Sequence, residues 1–284
     1  MVNCCNAAAL QIMRLTMIPL QTMKKIGEGQ EAEIYLSPEN KVLKLFKSSG
    51  FKAKSIEEES LLRILFDSRL PVPKTYGASE IESRPFYTMD YISGESLLSL
   101  LLKNPLNSKK YALLFAQYHA RINSHTAPSS FKEEKGSLAW CIEHSKLDQK
   151  TINAGLLLLG NLPSSNKLCH GDYNLANVII NTEGKPFFID WGGAAKGYFV
   201  SDVANAYLMI VNGALPPQAG FFLRAFLTFF RKNFAYTYVR YYKKINPFTS
   251  KEFNDWLLIR SMVRLAFCKD EEKPWLLNYI RKNT

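Results

Sequence analysis

Asp172, Asn177 and Asp190 are the residues whose types and spacing could serve phosphoryl transfer. Asp172 follows His170 and Gly171, while Asn177 and Asp190 flank an apolar run, a turn and a second apolar run, which together predict a β-hairpin. Asn177 and Asp190 are then expected to meet at the open end of that hairpin. Mg²⁺ is typically held by one or two such oxygen groups plus substrate phosphates. The pattern therefore predicts a magnesium site beside a carboxylate, that of Asp172, which can orient a hydroxyl group.

Each part of this pattern also has an ordinary explanation. An aspartate after an apolar strand is usually a turn or cap residue, and an asparagine in a loop often bonds only to its neighbours. The combination, with a strand, a turn and a strand placed between the second and third elements, is much less expected by chance. We therefore interpret the pattern as functional.

Two segments resemble a known family. HGDYNLANVIIN (170–181) and FFIDWGGAAKGYFVSDVANAY (187–207) are similar to the signature of aminoglycoside phosphotransferases and choline-kinase-like enzymes, and the resemblance extends over most of the chain after about residue 23. It implies an α+β, bilobal protein-kinase-like fold. A small antiparallel-sheet lobe with one main helix and the hinge would occupy residues 23–93, and a larger, mostly helical lobe residues 94–284. Residues 1–22 are treated as a leader of uncertain structure.

The resemblance also implies roles for the residues of the phosphoryl-transfer pattern. Asp172 is the catalytic residue that accepts the proton of the substrate hydroxyl, and Asn177 and Asp190 hold Mg²⁺, which bridges phosphate oxygens. His170 is a scaffold residue of the catalytic loop. Asp202 is either a cap of the next helix or, by resemblance, a hydrogen-bond acceptor for the backbone of that loop.

A lysine on the third predicted strand is the main candidate for nucleotide binding. In the run KVLKLF (41–46), a period of two puts Val42 and Lys44 on one face. A lysine among apolar residues is costly to bury unpaired, so Lys44 is expected to contact a carboxylate or a phosphate. We interpret Lys41 and Lys47 as edge lysines whose charged ends reach solvent. By resemblance, Lys44 binds the α- and β-phosphates of ATP and Val42 packs on the adenine.

The carboxylate partner of Lys44 is expected on a helix over residues 55–66, whose acids fall early and suit the helix dipole. Glu57, Glu58 and Glu59 compete for this role. Glu58 precedes the leucines of the best-defined apolar face by three, four and seven residues and is the preferred partner, with Glu59 second. The alternative is that all three acids only lie near the start of the helix and do not contact Lys44.

The remaining nucleotide contacts are implied by resemblance. Gly27 and Gly29 lie at the end of the first of two strands, predicted at 24–29 and 33–36, and would let the backbone approach phosphates, although Ala32 stands where protein kinases carry a third glycine. Residues 86–89 form a strand that leads into a connector like the kinase hinge. There the carbonyl of Asp90 and the N–H of Ile92 would bond the adenine edge, and Met89 would line the pocket.

Composition limits the class of protein. The chain has 284 residues, 47% hydrophobic and 21% charged, with a net charge of +11. This balance is typical of a globular protein, and no transmembrane helix or nucleic-acid motif is predicted. The five cysteines are odd in number and lack metal-ligand spacing, which favours a reducing, cytoplasmic location. Cys169 is interpreted as a packed thiol and not as a nucleophile.

The helical half of the chain carries two further predictions. Residues 108–124 are expected to form the long helix under the catalytic loop, with His119 as a packing histidine. Residues 218–245 are rich in aromatic and basic side chains. This stretch could bind a membrane surface or stack on single-stranded nucleic acid, but a pair of packed helices with basic side chains reaching solvent is favoured.

The sequence therefore predicts an ATP- and Mg²⁺-dependent phosphotransferase whose acceptor is a hydroxyl group of a small molecule. The candidate acceptors are an aminoglycoside-like antibiotic, choline or ethanolamine, and another amino alcohol or a sugar. The alternatives are a protein serine/threonine kinase-like enzyme and a nucleotide-binding pseudokinase scaffold. A positive protein is a poor long-range match for a polycationic aminoglycoside, although a local acidic pocket could override that.

Overall fold

The computed structural model describes residues 20–213 and 220–284, so the predicted leader lies almost entirely outside the described residues. The strands are β1 (Lys24–Glu28), β2 (Ala32–Leu36), β3 (Lys41–Phe46), β4 (Thr75–Ile81), β5 (Arg84–Asp90), β6 (Gly94–Ser96), β7 (Lys167–Cys169), β8 (Val178–Asn181), β9 (Pro186–Phe188) and β10 (Ala195–Gly197). The helices are α1 (Lys52–Asp67), α2 (Leu97–Lys103), α3 (Ser108–Ser124), α4 (Glu134–Glu143), α5 (Gln149–Asn161), α6 (Phe199–Asn212), α7 (Phe221–Ile245), α8 (Ser250–Phe267) and α9 (Lys273–Asn283).

The chain forms two compact units. The first contains the described residues as far as Glu95 together with Ile179–Trp191, and the second contains Ser96–Val178 and Gly192–Thr284. Sheet structure and the single long helix α1 make up the first unit, whereas the second is mostly helical. This mixed composition confirms the α+β fold class predicted from the sequence.

The first unit is built on a five-stranded antiparallel sheet with the order β1-β2-β3-β5-β4. β3 lies at its centre, and its side chains are buried on both faces. Leu43 and Leu45 pack on one face with Met23 and Phe86. The opposite face of the strand carries Lys44 between apolar neighbours, as the period of two predicts.

β4 and β5 form a hairpin whose turn is not predicted from the sequence. Its turn is made by Glu82 and Ser83, whose φ angles of 51° and 62° are both positive, as a two-residue turn of the tight hairpin type requires. Asn-Gly or Asp-Gly is the usual sequence signal of such a turn. Glu-Ser is not such a signal, so the turn could not be recognised from the sequence.

α1 begins at Lys52, three residues earlier than predicted, and has no acidic residue in its first turn. The expectation that its acids complement the helix dipole is therefore wrong. Glu58 and Glu59 lie deeper in the helix and are buried, whereas Glu57 is exposed. Their position on the face that packs on the sheet sets up the contacts described below.

The predicted hairpin between Asn177 and Asp190 is present, with β8 and β9 as neighbours in a three-stranded sheet of order β6-β8-β9. Gly94 at the start of β6 allows β8 to approach closely. A Cβ atom at that position would lie 2.2 Å from the carbonyl oxygen of Ile180, a distance that no side chain tolerates.

In the second unit, α3 spans the residues predicted for it and packs against α7. The expectation of two helices over 218–245 is wrong, because α7 is one helix of 25 residues. Its sequence contains no glycine or proline that would interrupt it. Phe234, Tyr238 and Tyr242 of α7 are buried. Over the described ranges, no helix is long and apolar enough to cross a membrane.

A buried ion pair between α8 and α4 also makes a hydrogen bond to α6. Arg260 of α8 binds the carboxylate of Glu134 of α4, and both side chains are almost fully buried. The Nε atom of Arg260 also donates to the hydroxyl of Ser201 at 3.0 Å. Since Ser201 precedes Asp202 in α6, this contact helps to place the Asp202 carboxylate, which bonds the loop that carries Asp172.

Candidate active site

The ammonium group of Lys44 lies between two carboxylates of the first unit. Its Nζ atom is 2.8 Å from Glu58 Oε2 and 3.1 Å from Asp190 Oδ1. Burial acts to lower the pKa of Lys44, but Tyr87, Asp190 and Glu58 outweigh it and hold the pKa above its usual value. Lys44 therefore keeps its positive charge in a largely buried position, where it can bind an anion.

Glu59, the second candidate partner of Lys44, does not contact it. Its carboxylate accepts a hydrogen bond of 2.8 Å from the hydroxyl of Thr75, so it ties α1 to β4. The structure thus brings Glu58, and neither of its two acidic neighbours, to Lys44.

Tyr87 is a site residue that the sequence analysis missed. It is the cross-strand partner of Lys44, is fully buried, and donates a hydrogen bond of 3.2 Å to Glu58 Oε2. Burial raises its pKa far above the ordinary value, so the phenol stays protonated and remains a donor. A signal was available, because Tyr87 precedes Met89 by two residues and therefore shares its face of β5.

Asp190 is held in an uncommon backbone conformation. Its φ angle is +62°, in the left-handed region that aspartate and asparagine tolerate better than other side chains except glycine. Its side chain is about half exposed (49%), and Trp191 beside it is anchored by a hydrogen bond of 3.1 Å from its indole to the Phe188 carbonyl. The carboxylate is thus accessible while its backbone is fixed.

The predicted adenine-binding residues fall at one end of β3 and β5. Val42 and Met89 are cross-strand partners, so their side chains lie on the same face. Ile92 follows in the connector and is partly buried. The contacts of these residues with a nucleotide stay a prediction.

The Asp90 carboxylate forms a cluster with two neighbours. Its Oδ1 atom accepts hydrogen bonds from Lys41 Nζ at 2.6 Å and from the Tyr76 hydroxyl at 2.7 Å. The interpretation of Lys41 as an edge lysine is wrong, because β3 is central and Lys41 pairs across to Asp90. This cluster joins β3, β4 and β5 where the predicted hinge begins.

Gly27 and Gly29 lie at the end of β1 and in the turn that follows. The N–H of Gly29 donates to the carbonyl of Ala32 at 2.8 Å and closes the turn. A Cβ atom at either glycine would meet its nearest neighbour at 3.5–3.6 Å, an ordinary contact. The fold itself does not require glycine there, and the predicted approach to phosphates stays untested.

In the second unit, Asp172 and Asn177 are joined directly. The side-chain nitrogen of Asn177 donates to the Asp172 carbonyl at 2.9 Å and to Asp172 Oδ2 at 3.1 Å, and Asn174 also donates to that carbonyl at 3.2 Å. The amide of Asn177 is thereby oriented with its nitrogen toward Asp172. Its oxygen accepts no hydrogen bond from the described residues and is a hard ligand suited to Mg²⁺.

Asp202 anchors the loop that carries Asp172. Its carboxylate accepts hydrogen bonds from the backbone N–H groups of His170 at 2.7 Å and Gly171 at 3.0 Å. Of the two roles that the sequence left open, the helix cap is wrong, because α6 begins at Phe199 with Tyr198 as its cap residue. Asn205, one turn further along α6, donates to the Gly171 carbonyl at 2.7 Å and secures the loop from the same side.

A buried polar network supports Asp202 from α3 and α7. Asp202 Oδ2 lies 2.9 Å from His119 Nε2, and His119 Nδ1 lies 2.6 Å from the Tyr238 hydroxyl. Asn123 donates to the same carboxylate oxygen at 3.1 Å and accepts from the Tyr242 hydroxyl at 2.7 Å. The sequence predicts only the packing role of His119, because the polar ends of the other members give no local signal.

Burial would raise the pKa of Asp202, but the neighbouring His119, with His170 and Arg260, holds it well below the ordinary aspartate value. Asp202 is therefore a buried carboxylate that remains charged. Cys169, by contrast, is a buried free thiol whose pKa burial raises well above its usual value, so it is a packed side chain as predicted and not a nucleophile.

A metal ion requires side chains that can serve as its ligands. Within residues 20–213 and 220–284, no group of three or more His, Cys, Asp or Glu side chains is arranged to hold one. Asp190 and Asn177 each offer a hard oxygen instead, and Mg²⁺ in nucleotide sites commonly takes one or two protein oxygens plus phosphates and water. Each of these two oxygens is, taken by itself, of the kind that this mode of binding uses.

The two units have the elements of a protein-kinase-like phosphotransferase: a sheet with a buried lysine–glutamate pair, and a helical unit with an anchored aspartate loop. The model of the phosphotransferase enzyme family known as APH matches residues 22–242. The chain belongs to this family, which confirms the resemblance drawn from the sequence. No curated protein sequence matches the chain.

Solved structures of aminoglycoside phosphotransferases have the same fold. A thermostable mutant of APH(4)-Ia in ternary complex with AMP-PNP and hygromycin B is 15% identical, with a TM-score of 0.63 and 92% of each chain covered. The streptomycin–ATP complex of APH(2'')-IIa is 17% identical, with a TM-score of 0.59 and coverage of 97% and 96%. The GDP and kanamycin complex of APH(2'')-IIia is 13% identical, with a TM-score of 0.59 and 98% of each chain covered. At these identities the likeness establishes the fold alone.

The backbone of Gly171 yields a first prediction. Its φ angle is +77°, and a Cβ atom would lie 1.8 Å from the carbonyl oxygen of Gly193. We expect Gly171→Ala to lower the free energy of unfolding by at least about 2 kcal/mol, from left-handed strain and steric overlap, and to abolish phosphate transfer. The control is Gly136→Ala in α4, where an added Cβ meets nothing within 4 Å. Equal midpoints for the two variants in urea unfolding would contradict the argument.

The buried charge of Asp202 yields a pH prediction. Because its pKa is lowered in the folded state, its charge contributes stability above the ordinary aspartate pKa of about 4, and this contribution is lost as the pH falls. Asp202→Asn should therefore cost about 3 kcal/mol near neutral pH and less below pH about 4. Urea unfolding from pH 3 to 7 measures the difference, with the exposed Asp67→Asn as control. A cost that does not depend on pH would rule out a charged Asp202.

Proposed function

We propose that this protein is an ATP- and Mg²⁺-dependent kinase that phosphorylates a hydroxyl group of a small molecule. The observation that carries the proposal is the buried ammonium of Lys44, flanked by Glu58 and Asp190 at 2.8 and 3.1 Å. A buried lysine held by a helix glutamate, beside an aspartate suited to a metal ion, is the arrangement that phosphoryl transfer by kinases uses. Membership of a phosphotransferase family supports it.

Lys44 would bind the α- and β-phosphates of ATP, with Glu58 and Tyr87 holding its ammonium in place. Val42 and Met89 would contact the adenine ring, and the backbone of the predicted hinge would bond its edge through the Asp90 carbonyl and the Ile92 N–H. The cluster of Asp90 with Lys41 and Tyr76 supports this role, because it fixes the strand end from which the hinge departs. Gly27 and Gly29 would let the first hairpin approach the phosphates.

Asp172 would act on the acceptor. Its carboxylate would accept a hydrogen bond, and finally the proton, from the acceptor hydroxyl, whose oxygen forms a new bond to the γ-phosphorus. The bond from that phosphorus to the β,γ-bridging oxygen breaks, and ADP leaves with the electron pair. The hydrogen bonds of Asn177 and Asp202 support this role, since they fix the loop before substrate arrives. Positioning of this kind supplies much of the catalysis of phosphoryl transfer.

Asn177 and Asp190 would hold Mg²⁺. A bound magnesium ion would neutralise charge on the phosphate oxygens. The orientation of the Asn177 amide oxygen and the exposure of the Asp190 carboxylate support this assignment.

The acceptor class is a hydroxyl-bearing small molecule, either an aminoglycoside-like antibiotic, choline or ethanolamine, or another amino alcohol or a sugar. Hygromycin B, streptomycin and kanamycin are bound in the similar structures, which keeps an aminoglycoside among the candidates. The net charge of +11 disfavours long-range attraction of a polycation, so a less positive acceptor is equally compatible.

A protein substrate is less compatible with the chain. Only eight residues separate Asp190 from the first residue of α6, which leaves little chain to dock a peptide. A nucleotide-binding scaffold without catalysis would have no need for the anchored Asp172 loop. The scaffold alternative is tested by the turnover measurements below.

The role of Asp172 is tested by Asp172→Asn. Loss of a general base and hydroxyl-orienting group should lower kcat by a factor of about 10² to 10⁴ with little change in the affinity for ATP. Turnover would be measured over a panel of aminoglycosides, choline, ethanolamine and sugars, with ATP binding by calorimetry. Asp270→Asn, a substitution at a side chain 90% exposed, is the control. An undiminished kcat in Asp172→Asn would exclude the assigned role, and no turnover of any acceptor by the wild type would favour the scaffold.

The role of Asp190 is tested by Asp190→Asn, because asparagine tolerates the φ angle of +62° and removes only the charge. The affinity for ATP is expected to rise with Mg²⁺ in the wild type and to respond at least about tenfold less in the variant. The control is Glu183→Gln, at an exposed acid in the turn of the same hairpin. An unchanged magnesium response in Asp190→Asn would mean that other groups bind the ion.

A further inference from the structure

A concave surface in the second unit has no role in the proposed reaction. It is a cavity of about 340 Å³ between the first turn of α3 and one side of α7, and we name it the α7 groove. Among its lining residues are Lys109, Thr237, Arg240, Tyr241 and Lys244. A volume of this size is suited to a small ligand.

The charged side chains that line the α7 groove are all positive. Lys109, Arg240 and Lys244 are exposed cations, and no aspartate or glutamate lines the cavity. Within the part of the chain that the structure describes, none of the three forms an ion pair with a carboxylate. Like charges that share one concavity repel each other, so an anion bound among them would lower their electrostatic energy.

The polar groups of the groove follow from the geometry of α7. Thr237, Arg240, Tyr241 and Lys244 are spaced so that they share one side of a helix, and they present two hydroxyl groups and two cations. The ammonium of Lys244 lies 5.8 Å from the ring centre of Tyr241. Hydroxyl, ammonium and guanidinium groups are all donors, which matches the acceptor oxygens of a phosphate group.

The floor of the groove is apolar and separates it from the catalytic loop. Phe234, which lines the groove, is buried and lies 6.2 Å from the ring of Phe115. Phe115 in turn stacks at 4.3 Å on Tyr173, the neighbour of Asp172. Since Phe115 and Tyr173 are fully buried, a ligand in the groove would lie behind the loop and would not be the phosphate acceptor.

We propose that the α7 groove is a second binding site, which takes a small phosphate-bearing ligand with an apolar portion. The phosphate is bound by Lys109, Arg240 and Lys244, and the apolar portion packs on the aromatic floor. The phosphate belongs either to a free phosphate ester or to a lipid headgroup, since both present the same chemistry to the groove. This site goes beyond the proposed kinase activity and does not require it.

The test measures binding of phenyl phosphate to the full chain by calorimetry at constant ionic strength. The groove variant carries Lys109→Gln, Arg240→Gln and Lys244→Gln. The control variant carries Lys146→Gln, Lys150→Gln and Lys282→Gln, at exposed lysines of the same unit, and loses the same net charge. Lys44 is intact in both variants, so any binding of phosphate there cancels in the comparison. Circular dichroism checks that both variants are folded.

We expect the groove variant to bind phenyl phosphate at least about tenfold more weakly than the wild type, and the control variant to stay within about twofold. Arg240→Lys alone, which keeps the charge but loses the planar guanidinium, should also bind more weakly. Neutral benzyl alcohol should show no dependence on the three cations.

A parallel arm uses vesicles of phosphatidylcholine with and without phosphatidic acid. Binding to phosphatidic acid that is lost in the groove variant and kept in the control variant would support the site and assign the phosphate to a lipid. If neither phenyl phosphate nor phosphatidic acid distinguishes the groove variant from the control variant, only the overall charge matters and the proposal is overturned.

Discussion

The carboxylate of Asp202 is fully buried, and a buried charge is costly unless protein groups replace the water that it loses. Here the replacements include two backbone N–H groups of the loop at His170 and Gly171, together with His119 and Asn123 of α3. If the loop moved away, the carboxylate would lose two of these donors and the two backbone N–H groups would lose their acceptor. The buried charge of Asp202 therefore stabilises the loop conformation that presents Asp172, although Asp202 takes no part in the proposed chemistry.

In the first unit, a buried positive charge is likewise compensated by protein groups. Lys44 brings a positive charge into the sheet, and Glu58 of α1 and Tyr87 of β5 complete a buried hydrogen-bonded group around it. Glu58 thereby fixes α1 on the sheet, and the half-exposed Asp190 adds a second negative charge on the accessible side. A phosphate that approaches Lys44 meets an ammonium already oriented and partly desolvated, which reduces the reorganisation needed on binding.

Local signals carried most of what could be predicted from the sequence. The hairpin after Asn177, the helix under the catalytic loop and the need of Lys44 for an anion all follow from short-range periodicity and residue chemistry. The turn at Glu82 was missed because its residues are unusual for its backbone conformation. Tyr238 was missed because its partner lies 119 residues away, and no local pattern records such a contact. Long-range polar pairs become visible only when the helices that carry them are packed.

Three buried or half-buried cations are each paired with a carboxylate: Lys41 with Asp90, Lys44 with Glu58, and Arg260 with Glu134. The α7 groove departs from this pattern, since its three cations share a concavity without a carboxylate in its lining. α7 has one side packed into the core and the adjoining side lined with donors, so core packing fixes the helix that carries these donors. Because the helix backbone is already in place, an anion bound in the groove would have to order only the exposed cationic side chains.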